Sequence, residues 1–306
     1  MSDHAAEFGG LAEELLAAGR VDELVEQLAD PELVDLWDDL AVVGAVAEAH
    51  GRHVASSPLM DVAVLRLPGA AVVLDVPGRP GPSVRVVGDD LEVDGLARDI
   101  RAADHLVLLV DGVARSVDLP RLTVRGSEGL DAGLSLTRVS GRVPLAASEP
   151  LEVEAKAVLC RVARFVGHEL VGLAVGALDL ASTHVRDRRQ FGVPIGSFQA
   201  VRHRLAEAHV QVTAARELLA ALPEADLDTH VLVLKASAGT AALTAVAAAQ
   251  QVCGGMGFTQ EFGLHRFVRR ALVLDSLLVG SEDADEALGR LAVGGRVLPD
   301  RQVVLQ

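Results

Sequence analysis

The sequence predicts a mixed α+β fold that is mostly helical: a truncated N-terminal helical domain (1–64), a small β domain (65–148) and a C-terminal four-helix bundle (149–306). Three textures predict it. Apolar residues first fall at helical spacing, then give way to short β-branched runs broken by turn dipeptides, and return to long helical periodicities after Pro150.

Each part follows from local chemistry. From Glu7 to about Ser56, Leu11, Leu15 and Leu16 and then Leu24 and Leu28 mark one helical face, and Pro31 is placed to open the next helix. Between Leu65 and Ala147, the runs Ala70–Asp75, Ser83–Val87, Leu106–Val110 and Arg121–Arg125 read as strands, punctuated by PGRPGP and DG. Beyond Pro150 the pattern predicts helices over roughly 151–189, 197–221, 226–253 and 282–293, long enough for an antiparallel bundle. The third, LKASAGTAALTAVAAAQQV, is apolar almost all round, so it must be buried on several sides, and a dimer or tetramer core is the expected cover. Gly167, Gly172 and Gly176 on the first long helix are expected to let helices approach closely.

Composition excludes some function classes. With 28 basic and 43 acidic residues the net charge is −15, so binding a nucleic-acid backbone would bring like charges together. Cys160 and Cys253 are too few for a disulfide framework, lack metal spacing, and are expected to be packed thiols. The N-terminus MSDHAAEFGG has neither a basic segment nor an apolar signal core, and no stretch of about twenty residues is expected to be free of charges. A cytoplasmic protein with no membrane partner is expected.

Two segments carry more specific information. HVRDRRQFGVPIGSFQ spans His184 to Gln199, with an Arg-x-x-Phe-Gly turn and a Gln eleven residues after the Arg; QVCGGMGFTQEFGLHRFVRR spans Gln251 to Arg270. In that order and spacing they resemble the acyl-CoA dehydrogenase family, clearly over about 150–306 and more faintly over the β region, with AEAHGRHVASSPL resembling the end of the family's N-terminal helical domain. The resemblance implies FAD as cofactor, lying across a subunit interface with its ADP half gripped by the neighbour's bundle. It implies that Arg188 meets the pyrophosphate, Gln199 and Gln251 hydrogen-bond polar edges, Gly254 and Gly255 admit close backbone approach, and Phe191 packs beneath. Other readings stay open: Arg188 as a solvated helix end, Phe191 as core, and Gly254 and Gly255 as a helix C-cap.

The family's chemistry needs a carboxylate to remove the substrate's α-proton, and neither family location supplies one here. In the family one location is the Glu of Glu-Gly-Thr-Ser; the matching stretch is Val279-Gly280-Ser281-Glu282, which puts Val279 at the expected base position. The other, on the first bundle helix, falls near Val162. Glu282 reads as a helix-opening acid, Glu261 as part of a family-like segment, and His265 as packed or hydrogen-bonded. The family's Thr-Glu-Pro-x-x-Gly-Ser-Asp stretch, which cradles the flavin ring, is also absent, so the chain is expected to have lost its own flavin pocket.

The resemblance therefore implies a short, degenerate subunit of an actinobacterial-type α2β2 heteromeric acyl-CoA dehydrogenase, some members of which act in steroid side-chain breakdown. A full-length catalytic subunit would be the partner and would hold most of the acyl-CoA. Two alternatives stand beside it: a self-sufficient homomeric dehydrogenase with a displaced base such as Glu282, and a scaffold subunit that binds no flavin.

Overall fold

The computed structural model describes residues 3–67, 69–127, 129–223 and 227–294. The N-terminal piece consists of α1 (Asp3–Ala17), α2 (Val21–Leu28), α3 (Leu40–Arg52) and α4 (Leu59–Leu65). Leu15, Leu16, Leu24 and Leu28 are buried, and α1 lies so close to α3 that a Cβ on Gly9 would stand 2.8 Å from Ala45 Cβ. Pro31 opens a 3-10 stretch, Pro31–Asp38, and Asp30 caps it by accepting from the Glu32 amide at 2.9 Å. Asp39 does the same for α3 through Ala41 N.

Eight strands follow in two four-stranded sheets. These are β1 (Ala70–Val72), β2 (Val84–Val87), β3 (Asp90–Arg98), β4 (His105–Val110), β5 (Val113–Asp118), β6 (Thr123–Gly126), β7 (Leu136–Pro144) and β8 (Glu149–Glu154). One sheet has the order β1-β4-β5-β8 with β1 and β4 parallel; the other is antiparallel with the order β2-β3-β7-β6. Leu106, Leu108 and Val117 of the first sheet and Leu91, Val93 and Val139 of the second share one apolar core. Where the sheets meet, a Cβ on Gly95 would lie 2.5 Å from Val73 Cγ1, so only glycine fits. The DG signal is a two-residue hairpin turn between β4 and β5, with Asp111 and Gly112 at φ 48° and 81°, the positive pair a type I′ turn requires.

The sequence pattern locates the strand region but misses half of its strands. β3, β5, β7 and β8 are additional, and β8 takes Glu149–Glu154 to the edge of the first sheet, so the long helix expected from 151 starts at Ala155. In β3, DLEVDGLAR, buried Leu91 and Val93 alternate with half-buried Asp90, Glu92 and Asp94, but from Gly95 to Arg98 every residue is buried, so the alternation is too short to stand out.

The helical part consists of α5 (Ala155–Asp187), α6 (Gln199–Ala221), α7 (Leu227–Cys253), α8 (Leu264–Ser276) and α9 (Ser281–Val293). α8 is a fifth helix that the sequence reading took as part of a glycine-rich connection. Its buried Leu264, Ala271 and Leu274 have helical spacing, with Phe267 and Val268 half-buried between them. The expected close approaches on α5 are present: added Cβ atoms would stand 1.9 Å from Glu48 O at Gly172, 2.7 Å from Arg52 O at Gly176 and 3.0 Å from Leu219 Cδ2 at Gly167. The contact is reciprocal, since a Cβ on Gly51 of α3 would lie 1.9 Å from Glu169 O.

One expectation about α7 needs correction. Residues 236–260 hold no charged side chain, and Thr229–Phe258 is long and apolar enough to cross a membrane by length and composition. That helix instead finds most of its cover inside its own chain: Leu234, Ala238, Ala241, Ala242 and Ala245 are buried with residues of α5 and α6, and Val246 and Ala249 with residues of α5 and α8. Of its apolar window, 56% is buried within the chain. Both cysteines are buried and unbridged, as expected of packed thiols, and burial pushes the Cys253 thiol up to about 11.

Candidate functional site

Helix direction brings the two motif segments together. Along α5, Gly167 lies beside Ala238 of α7, while Leu173, Ala177 and Ala181 cluster with Val246, Ala249 and Cys253, so α5 and α7 run in the same direction. α6 returns between them: Arg164 near the start of α5 donates to Leu219 O at 2.8 Å and Leu222 O at 2.7 Å, closing the C-terminal end of α6. The end of α5, the start of α6 and the end of α7 therefore meet at one end of the bundle. The His184 and Phe262 rings, 5.1 Å apart at 73°, tie that end together.

Arg188, Gln199, Gln251, Gly254 and Gly255 are all exposed at that end. The connection from α5 to α6 is a hairpin of β9 (Arg189–Gln190) and β10 (Val193–Pro194), and Ile195 N donates to Arg188 O at 2.8 Å. Its two central residues, Phe191 and Gly192, have φ of 52° and 81°. A bulky residue there is strained, and the Phe191 ring is 91% exposed, with Phe198 edge-on at 6.2 Å. Core packing of Phe191 is thereby excluded. Phe258 is also exposed, as is Met256.

Gly254, at φ 56°, ends α7 as a helix C-cap does, and a Cβ on Gly254 or Gly255 would meet nothing within 4 Å. Open space thus lies outside the chain at both glycines, at the same end of the bundle as the exposed Arg188, Gln199 and Gln251. Such a cradle suits an anionic, ribose-bearing ligand, and the ADP half of FAD fits its donor set.

Val279 lies elsewhere, in the wall of an open cavity of about 600 Å3 between the β domain and the bundle. Val73, Val84, Leu109, Leu159 and Val231 make the cavity mostly apolar, with Asp75, Asp111 and Lys156 also in its lining. Leu278 beside Val279 has φ 67°, and the turn is pinned from both sides. Buried Lys235 donates to Leu274 O at 2.7 Å, and Asp275 Oδ1 accepts from Ser281 N at 3.2 Å. Burial lowers the Lys235 ammonium to about 8, with Asp275 and Glu169 opposing that shift. Glu282 and Glu261 are exposed, and neither lines the cavity.

Val162 is fully buried, but one carboxylate on the same helix escaped the sequence reading. Glu169 is completely buried, accepts two hydrogen bonds from Arg98 of β3 at 2.6 and 2.5 Å, and meets His50 Nδ1 of α3 at 2.9 Å. Arg270 of α8 approaches at 3.9 Å and also contacts Asp131 and Ala55 O. Burial opposes the Glu169 charge, but Arg98 and His50 outweigh it and hold the carboxyl well below the usual range. Burial also dominates at His50 and lowers its pKa, so the ring is neutral near pH 7: Nδ1–H donates to Glu169, and Nε2 accepts from Ser57 Oγ at 2.9 Å. Such a saturated carboxylate is an anchor between the three parts of the chain and not a base.

Comparison with known proteins gives the lineage. Residues 159–284 match the family description "acyl-CoA dehydrogenase, C-terminal domain". The acyl-CoA dehydrogenase IpdE2 of Mycobacterium tuberculosis is 30% identical over 267 residues, 85% of this chain and 79% of that protein. Among solved structures, a variant of the Tcur3481–Tcur3483 steroid ACAD superposes with a TM-score of 0.77 at 23% identity, over 95% of this chain and 98% of that one. The ChsE4–ChsE5 complex of Mycobacterium tuberculosis gives 0.72 at 20%, over 96% and 98%. A glutaryl-CoA dehydrogenase of Mycobacterium smegmatis solved with FADH2 gives 0.72 at 15%, over 97% and 96%. By its sequence match across most of its length and by its fold, the chain belongs to the acyl-CoA dehydrogenase family of FAD-dependent oxidoreductases.

Proposed function

We propose that the chain is a non-catalytic subunit of an acyl-CoA dehydrogenase, gripping the ADP half of FAD for a full-length catalytic partner in an α2β2 assembly. One observation carries the reading: Arg188, Gln199, Gln251, Gly254 and Gly255 are presented outward at one end of the bundle, whereas Val279, where the resemblance puts the base, lines the separate apolar cavity. The division into two components in the Tcur3481–Tcur3483 and ChsE4–ChsE5 structures supports it, and the first of these points to a steroid-derived acyl thioester.

FAD, when bound, supplies the hydride acceptor for α,β-desaturation. Arg188 would pair its forked donors with the pyrophosphate, Gln199 and Gln251 would orient the adenosine half, and the amides of Gly254 and Gly255 would approach the ribose or phosphate. Val279 cannot accept a proton, so the carboxylate that removes the α-proton belongs to the partner. A second reading, a self-sufficient enzyme with a displaced base, is favoured by Asp75 and Asp111 in the cavity wall, not by exposed Glu282.

Coexpression with a full-length dehydrogenase and titration of active sites against bound flavin tests both. The expected result is a yellow complex whose active sites equal the number of partner chains. A flavin-loaded homomer of this chain that turns over an acyl-CoA would overturn the proposal.

A further inference from the structure

The chain carries 43 acidic against 28 basic residues, yet the outer face of the β2-β3-β7-β6 sheet reverses that balance. Arg85, Glu92 and Arg142 form one cross-strand row, and Arg85 meets Glu92 at 2.8 Å while Arg142 stands 3.7 Å away. Asp94 is shared in the same way: Arg138 binds it through both nitrogens at 2.8 and 2.9 Å, and Arg79 from the turn before β2 contacts it too. Each of the two carboxylates thus serves two arginines, leaving two positive charges in surplus. Asp90, the third carboxylate on this face, lies in the end row with Val87 and Pro144.

Stability alone does not account for the arrangement. Arg125 of β6 is the direct cross-strand partner of Arg138, and like charges directly opposite one another destabilise a sheet. The four arginines are 42–60% exposed, so each guanidinium is tethered by a carboxylate while further N–H donors reach outward. A concavity of about 310 Å3, the size of a small-ligand site, is lined by Arg79, Arg85 and Arg142 together with Glu92 and Asp94, so its lining keeps a positive surplus. Pro82 lines both this concavity and the apolar cavity that holds Val279.

We propose that this groove is an anion site that takes the phosphate groups of a phosphorylated small molecule, with Arg85 and Arg142 as its principal donors. Forked guanidiniums held in place by Glu92 and Asp94 match phosphate oxygens, and a bound phosphate would neutralise the surplus charge that the sheet otherwise carries. The site lies on the β domain, away from the Arg188 end, and does not depend on the subunit reading above.

Calorimetric titration of inorganic pyrophosphate into the full chain, or into its assembled complex, at low salt tests the site. In an Arg188→Ala background, which removes the bundle-end guanidinium, the expected result is saturable binding that Arg85→Gln with Arg142→Gln weakens at least about tenfold and that Arg142→Lys weakens less because charge survives without the fork. Absence of saturable heat in that background, or binding indifferent to the Arg85 and Arg142 substitutions, would each overturn the proposal.

Discussion

Arg98 on β3 and Glu169 on α5, 71 residues apart in sequence, form a fully buried double hydrogen bond that joins the β domain to the bundle. His50 adds α3 to the same carboxylate. Removing one partner of a buried pair typically costs about 3–5 kcal/mol, because the other charge remains buried without compensation. Glu169→Gln is therefore expected to lower unfolding stability by that amount, measured by urea denaturation. The depressed pKa also sets the acid limb. The contribution of Glu169 is full above its ordinary value of 4.5 and is lost as the pH falls below it, so the gap between wild type and Glu169→Gln should narrow in acid.

Asp61 has the opposite sign. Burial raises its carboxyl to about 7, although the Val72 amide, donating at 2.8 Å, and Arg98 oppose the shift. The folded state then holds a proton that the unfolded chain has lost, so stability falls as the pH rises from about 4 to about 7. Asp61→Asn keeps an acceptor for Val72 N and does not titrate. Relative to wild type it should gain on the order of 2–3 kcal/mol between about pH 5 and about pH 8. Parallel stability–pH curves for the two proteins would refute this.

Arg188→Ala in the assembled complex is expected to weaken FAD retention about tenfold or more, since a charge-assisted contact contributes roughly 1.5–3 kcal/mol. Flavin loss on dilution, followed by absorbance, measures it. Full occupancy in the variant would remove Arg188 from the cofactor site.

Phe191 occupies a left-handed position that Asn adopts readily, and Asn-Gly is the favoured pair for a type I′ hairpin. Phe191→Asn should stabilise the chain by about 1 kcal/mol in thermal unfolding while weakening flavin retention or assembly. A variant both less stable and fully flavin-bound would show that the exposed ring serves the fold.

Glu282→Gln and Glu261→Gln should each leave turnover of the complex within a few-fold. Loss of a true general base costs about 10²–10⁴-fold, so a fall of that size with flavin bound would place the active site on this chain.

The sequence by itself determined whatever depends on neighbouring residues. The limits of α6, α7 and α9 follow from local periodicity within a few residues, and the two motif segments that contain Arg188, Gln199, Gln251 and Gly254–Gly255 stand out because each is contiguous. Tertiary structure decided what depends on partners distant in the chain. A segment such as Asp90–Arg98 is a strand only once β2 and β7 pair with it, and Glu149–Glu154 extends along β5 instead of starting a helix because an edge was free. The apolar face of α7 announced burial but not that α5, α6 and α8 would supply it. Glu169 reads in sequence as one acid in an apolar helix. The crossing of α3 over α5, permitted by Gly51 and Gly172, brings His50 within hydrogen-bond reach, and the end of β3 brings Arg98; together they make its burial tolerable, because a charge can leave water only where folding has already placed its counter-charges.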